Sequence, residues 1–262
     1  MTNEQRIELW YIFNRFQKSR EKSYSPKINK ALKAQVNQFL AAKKNGENDS
    51  DALLSVTSND LHNVLKPLYM DAAITYGAKQ LSYLRSNVKA RMPIGFNRLM
   101  ISLVNNYFLT ELLNSVEDIT AYTRERIRDI LIAEYELGNG IDEITERIKE
   151  LGFTYQRSRL IARTETVTAA NVGAMLSIKT TNLKVNKVWI SAHDNRTRRQ
   201  PRDKFDHLHM DGIIVPYNNF FNVSGQNMQQ PGDRTGGATS GNICNCRCTI
   251  GFIPIRDNNG RL

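Results

Sequence analysis

The chain has 262 residues, 40% hydrophobic and 24% charged, which is enough for one large or two ordinary packed domains and excludes wholesale disorder. Lys plus Arg number 36 against 26 Asp plus Glu, and the resulting +10 points to a polyanionic partner while saying nothing about fold. No apolar run is long enough to cross a bilayer, no signal-peptide core follows residues 1–6, and three cysteines confined to 244–248 exclude a disulfide framework. A reducing compartment is therefore expected, without secretion or membrane residence.

The cations gather at the ends. Residues 1–44 carry a net +7, residues 45–152 a net −5 and residues 153–262 a net +8. The two basic ends are thus the candidates for touching phosphate.

In chain order, Thr2 and Gln5 have the spacing of a capping box. Behind them Ile7, Leu9, Trp10, Tyr11, Ile12, Phe13 and Phe16 are apolar almost all round a helix, which calls for burial on more than one side. Core burial and docking on another subunit both satisfy that, and the basic stretch 18–33 favours docking. Residues 45–51 read as a polar linker. Leu61, Leu65, Leu68 and Ala72 restore a helical stripe, with a kink expected at Pro67. A break at residues 92–95 precedes helices over 99–113 and 120–137, the second ending at Gly138-Asn139-Gly140. Ile141, Ile144, Ile148 and Leu151 form one apolar stripe on a short helix that Gly152 stops. A further helix spans about residues 156–179.

After Lys179 the pattern changes. Residues 185–191 read as a strand, residues 213–215 as a second strand after an Asp211-Gly212 turn, and residues 248–253 as a third. Residues 216–242 read as one long loop without periodicity. The fold class is α+β: a helical N-terminal two-thirds, then a small C-terminal α+β domain with a short sheet and long loops.

Four groups of residues could carry chemistry. Arg163 and Glu165 point about 200° apart on a helix, so each needs a partner from elsewhere, and anchoring of loops is favoured over catalysis. Residues 193–204 hold five cations, Arg196, Arg198, Arg199, Arg202 and Lys204, suited to following a phosphate backbone without reading bases. The competing possibility ties those arginines to Asp194, Asp203 and Asp206. His207-Leu208-His209 and Cys246-Arg247-Cys248 supply the residue types of a tetrahedral zinc site, but zinc cysteines are usually two to four residues apart, so a structural role is favoured and Cys244 is a bystander. His193 with His207 or His209 and Asn218 matches the residue types of a His-Asn-His nuclease, whose last ligand needs a helix that the stretch from Pro216 does not offer. A Cys–His nucleophile lacks an orienting third group.

The order Arg163-Thr164-Glu165, Lys187-Val188-Trp189, Asp194 with Arg196-Thr197-Arg198, His207 before Asp211-Gly212, Pro231-Gly232-Asp233 and Asn245-Cys246-Arg247-Cys248 resembles the phage Mu F-like family. The resemblance covers about residues 120–255. These are minor head, or head morphogenesis, proteins of tailed double-stranded DNA phages. The resemblance implies a protein present in few copies at the portal vertex, built into the procapsid, whose relatives include binders of DNA without sequence preference. It also implies that Arg163, Glu165, Trp189, Asp194, His207, Asp211, Gly212, Cys246 and Cys248 define the fold. Two departures stand out: the lengthened stretch from Arg198 makes His207 and His209 compete for the family histidine, and Cys244 is an addition.

The expectation is thus a helical region over 1–113 that docks on portal or capsid and scaffold proteins, and a Mu F-like domain over 114–262 that faces double-stranded DNA inside the head. No catalytic residue, cofactor or membrane partner is expected. The alternative is a metal-dependent hydrolase or nuclease that uses the His/Cys cluster with Glu165 or Asp194 as base.

Overall fold

A computed structural model of the chain describes residues 1–88, 92–150 and 155–256. Helix α1 (Asn3–Lys44) opens on the expected reciprocal cap: the Thr2 amide donates to Gln5 Oε1 at 2.9 Å and the Gln5 amide to Thr2 Oγ1 at 3.3 Å. The linker is shorter than expected. Gly46, at φ +85°, turns the chain, and Asn48 then caps a short helix α2 (Asp49–Leu54) by accepting the Asp51 amide at 2.9 Å. Helix α3 (Asn59–Val88) continues through Pro67, with Leu61, Leu65, Leu68 and Ala72 fully buried.

The two helices expected over 99–113 and 120–137 are one helix, α4 (Phe96–Glu136). The hydroxyls that interrupt its apolar pattern are satisfied within the helix, Thr120 Oγ1 donating to the Val116 carbonyl at 2.7 Å and Thr123 Oγ1 to that of Ile119 at 3.0 Å. Gly138, at φ +74°, ends it as expected, its amide bonding the Tyr135 carbonyl and that of Asn139 the Glu134 carbonyl, both at 3.0 Å. Helix α5 (Ile141–Glu150) follows, with Ile144 and Ile148 buried. Its expected end at Leu151 and Gly152 lies outside the described residues. Helix α6 (Tyr155–Lys179) completes the helical part.

Strands β1 (Val185–Ile190), β2 (Ile214–Pro216) and β5 (Thr249–Pro254) form an antiparallel sheet in the order β2-β1-β5, so the fold is α+β as expected. The β1–β5 ladder runs from Val185 opposite Pro254 to Ile190 opposite Thr249. The long loop is not structureless. It contains a hairpin of β3 (Phe221–Val223) and β4 (Gln226–Met228), then a one-turn helix α7 (Ser240–Ile243). Ser224 at φ 52° and Gly225 at φ 87° are the two left-handed residues that a tight two-residue hairpin turn requires.

The chain forms two compact units that interleave in sequence: one from Met1–Glu21, Leu68–Asn106 and the chain from Arg163, the other from Lys22–Pro67 and Tyr107–Ala162. In the second unit Gln35 is a buried polar hub: its Nε2 donates to the Thr57 carbonyl at 2.9 Å and to Thr120 Oγ1 at 2.8 Å, and its Oε1 accepts from Thr123 Oγ1 at 3.1 Å. In the first unit Leu9, Trp10, Phe13 and Phe16 at the start of α1 are core while Tyr11 is 57% exposed, so of the two possibilities left open for this helix, core burial accounts for those four side chains. Leu9 and Trp10 pack with Ile190 and Ala192, and Phe13 and Phe16 lie 5.1 and 5.3 Å from the Tyr76 ring. Trp10 Nε1 also donates to the Arg247 carbonyl at 3.2 Å, so the helix start is fastened to the C-terminal turn.

Candidate functional site

The start of β5 is held by helix α6 and is where the motif residues converge. The Asn245 amide donates to Thr164 Oγ1 at 2.9 Å, and its side-chain oxygen accepts from Arg163. Asn245 itself sits at φ 61°, a left-handed conformation that Asn tolerates better than most residues. Arg163 also grips Glu21 with two bonds of 2.9 Å, from Nε and Nη2. Asn171, two turns further along α6, donates to the Cys248 and Pro231 carbonyls at 3.2 Å each and accepts from Thr249 Oγ1 at 2.8 Å. That residue was absent from the sequence candidates because a polar residue on a helix carries no pattern.

The remaining motif residues brace the adjoining loops. Asp194 receives Arg247 bidentately at 3.1 and 2.9 Å and the Arg196 amide at 3.0 Å. Although burial works against ionisation, these cations and the amide hold its carboxyl below the usual range. Asp211 accepts the Ser191 amide at 2.9 Å and Arg6 Nε at 3.0 Å, and Gly212, at φ +81°, turns the chain into β2. Glu165 is buried and takes the Tyr69 hydroxyl, with Arg234 at 4.0 Å. Arg163 and Glu165 therefore reach different partners, as their spacing on the helix requires.

The basic stretch 193–204 divides into two kinds of cation. Arg198 is half-buried and spends its guanidinium on the Asn242 and Cys244 carbonyls, with Asp203 at 3.4 Å. Arg202 donates to the Asn195 and Thr197 carbonyls at 2.9 and 2.7 Å. Arg196, Arg199 and Lys204 are exposed, as is Arg202, and Arg196 Nη2 lies 3.6 Å from Asp194. Asp206 binds main-chain amides, of Gln200 at 3.4 Å and of His209 at 2.9 Å.

Beneath this loop His207, Cys246 and Cys248 come together, all buried, with their donor atoms within 4.8 Å of one another. His207 Nδ1 lies 3.5 Å from Cys246 Sγ and 3.6 Å from Cys248 Sγ, and the Cys248 amide points at Cys246 Sγ at 3.4 Å. The four-ligand arrangement weighed from the sequence does not form: His209 is exposed, and neither it nor Cys244 joins the group. Of the two histidines that competed, His207 is the one that joins the cysteines. His193 is also apart, edge-on to Trp10 at 5.8 Å and 3.6 Å from Asp211, so the nuclease-like histidine set is not assembled.

The cluster is electrostatically asymmetric. A hydrogen bond from Cys248 and the adjacent His207 push the Cys246 thiol well below its ordinary pKa despite its burial, while burial and the neighbouring Cys246 sulfur push Cys248 well above. Burial disfavours charge on His207, but Cys246 and Asn242 outweigh it and raise that pKa. Asn242, on α7, was not among the sequence candidates. Its Oδ1 stands 2.6 Å from His207 Nε2, while its Nδ2 donates to the Val223 carbonyl at 3.2 Å and to Gln226 Oε1 at 3.1 Å.

Among known families, residues 125–251 match the one described as Phage Mu protein F like protein. No curated protein and no solved structure matches the chain.

Proposed function

We propose, on the premise that residues 125–251 belong to the Phage Mu F-like head morphogenesis family, that this chain is a minor head protein of a tailed double-stranded DNA phage. In this reading it is built into the head at the portal vertex, against portal and capsid or scaffold proteins, and touches DNA without reading its sequence. The observation that supports a structural role is how the motif residues are used. Arg163 pairs with Glu21 of α1 and reaches Asn245 in the turn before β5, Asp194 and Arg247 pair with each other, and Asp211 ties the Ser191 amide to Arg6, all within one unit. The metal-dependent hydrolase has less support, because His207, Cys246 and Cys248 are only 1–3% exposed and offer a phosphodiester no open surface.

The DNA-binding role is assigned to Arg196, Arg199 and Lys204, exposed on a loop that the half-buried Arg198 and the surface Arg202 fasten through backbone carbonyls. Exposed cations on a fixed loop can track phosphates by charge alone. Arg15 and Lys18, exposed on the part of α1 that belongs to the same unit, add further cations. The test is binding of the full chain to unrelated duplexes over a range of salt. Affinity should fall steeply with salt and be equal across sequences. The triple variant Arg196→Gln, Arg199→Gln, Lys204→Gln should flatten the log–log slope by about 0.9 for each phosphate that is no longer neutralised. An unchanged slope moves the DNA-binding surface to α1, and salt-resistant binding that prefers one sequence overturns the reading.

A further inference from the structure

We propose that His207, Cys246 and Cys248 are the protein ligands of one zinc ion, bound through His207 Nδ1 and the two thiolate sulfurs. The inference stands on the geometry of the cluster and is independent of the phage assignment.

Distance is the first argument. Zinc bonds of about 2.3 Å to sulfur and about 2.0–2.1 Å to nitrogen, opened to a tetrahedral angle, place the two ligand atoms about 3.5 Å apart. The observed Nδ1–Sγ separations are 3.5 and 3.6 Å. Both histidine–sulfur separations are those such an ion would impose, and all three donor atoms lie within 4.8 Å of one another.

The tautomer is the second argument. The Val223 carbonyl can only accept, so the Asn242 amide nitrogen must face it and Oδ1 must face the histidine. His207 Nε2 therefore carries a hydrogen and donates it to Asn242, and Nδ1 is the atom whose lone pair is available to the sulfurs. A polar partner that fixes the far nitrogen of the ring is the usual support of a metal-bound histidine. Hydrogen bonds from Asn242 to Val223 and Gln226 hold that partner in turn, so the support extends through the β3–β4 hairpin.

The donor chemistry is the third. Two thiolates and one imidazole select a thiophilic ion, and zinc accepts this set without a redox step. The Cys248 amide aimed at Cys246 Sγ favours the thiolate. In the metal-free state protons are shared among the three ligands. Binding replaces two of them: Zn²⁺ enters, both sulfurs become thiolates, the imidazole is neutral, and two protons leave to solvent. Three protein ligands leave the fourth position to a water molecule.

The experiment measures metal content and ligand identity on the full chain. Protein purified without added metal or chelator should contain zinc equimolar with the chain. Exchange into cobalt(II) should give the near-ultraviolet sulfur-to-cobalt absorption of two thiolates together with the intense visible bands of a tetrahedral ion. Cys246→Ser, Cys248→Ser and His207→Ala should each lose the metal, whereas Cys244→Ser and His209→Ala should retain it. Asn242→Ala should weaken zinc binding about 10–100-fold by releasing the imidazole. If the ligand variants fail to fold, the cobalt spectrum of the unsubstituted chain decides alone. A folded chain without zinc that shows no cobalt–thiolate band overturns the proposal, and so does stoichiometric copper in place of zinc or retention of the metal by a folded His207→Ala variant.

Discussion

Gly173 of α6 lies with its backbone on that of Ala73 of α3. A β-carbon built on Gly173 would stand 2.1 Å from the Ala73 carbonyl oxygen and 2.4 Å from its Cα. Gly77, one turn along α3, is as tightly placed, its β-carbon position falling 2.6 Å from the Gly173 carbonyl oxygen. The helices meet main chain to main chain, and this close approach sets α3 and α6 in the unit that holds the His–Cys cluster.

Gly173→Ala therefore separates two effects of opposite sign. Helix propensity alone would stabilise the protein by about 1 kcal/mol, because Gly is the poorer residue inside a helix. The clash is with rigid backbone, so overpacking dominates and a net loss of about 2–4 kcal/mol is expected. Denaturant unfolding followed by circular dichroism measures it, and a variant more stable than the parent would contradict the packing described.

Neither glycine stood out in the sequence, where an isolated Gly in a helical pattern has several readings. What was legible was local chemistry. The Thr2–Gln5 cap, the stop at Gly138, the turn at Gly212 and all three strands of the main sheet are written in short spacings that work without tertiary partners. The hairpin at β3–β4 was legible in principle from the Ser224-Gly225 turn, but three-residue strands give almost no alternation. The start of α1 left two possibilities open for a different reason: an all-round apolar helix asks to be covered and does not say by what. Its cover is Tyr76, Ile190 and Ala192, distant in sequence.

The Arg163–Glu21 pair should behave as one unit in a double-mutant cycle. Both side chains are largely buried, 15% and 7% exposed, and the guanidinium spans both carboxylate oxygens. Arg163→Met removes both guanidinium bonds from a buried carboxylate that keeps the Gln17 amide at 2.9 Å, and a loss of about 3–5 kcal/mol is expected. Glu21→Gln made in that background removes the buried charge and should recover a substantial part. Arg163→Lys should also be poor, since one ammonium cannot hold two oxygens and Asn245 at once. Additive losses from the two single variants would show that the pair is not coupled.

Much of the site was legible as residue types, and its wiring was not. The sequence placed Arg163, Asp194, His207 and the cysteines together as an ordered motif, yet the partners that orient them are Asn171, Asn242, Thr164 and Glu21. Each is an ordinary polar residue whose role comes only from what folding brings opposite it. The i, i+2 cysteine spacing, unfavourable by zinc-finger custom, nonetheless brings both sulfurs to His207, after a turn in which Asn245 is left-handed.

Lys187 gives the fold a pH dependence on the alkaline side. It sits in β1 with no exposed surface, its ammonium bonded to the Gln229 carbonyl and side-chain oxygen and lying 5.3 Å from the Phe221 ring centroid. Burial lowers its pKa to about 8, and Asp233 nearby offsets only part of that. An unfolded lysine titrates near 10.4, so between about pH 8 and 10 the unfolded chain binds a proton that the folded chain has released. Unfolding free energy must then rise with pH across that window, and the burial penalty, present in full below about pH 8, is relieved by on the order of 1–3 kcal/mol. Above about pH 10 burial keeps Tyr76 and Tyr217 protonated beyond the usual tyrosine range while their unfolded counterparts ionise, so the sign reverses. The contribution of Lys187 is isolated by subtracting the unfolding profile of Lys187→Met from that of the parent between pH 7 and 10. The difference should grow in the parent's favour as pH rises, and a flat difference would mean that the ammonium is held without cost.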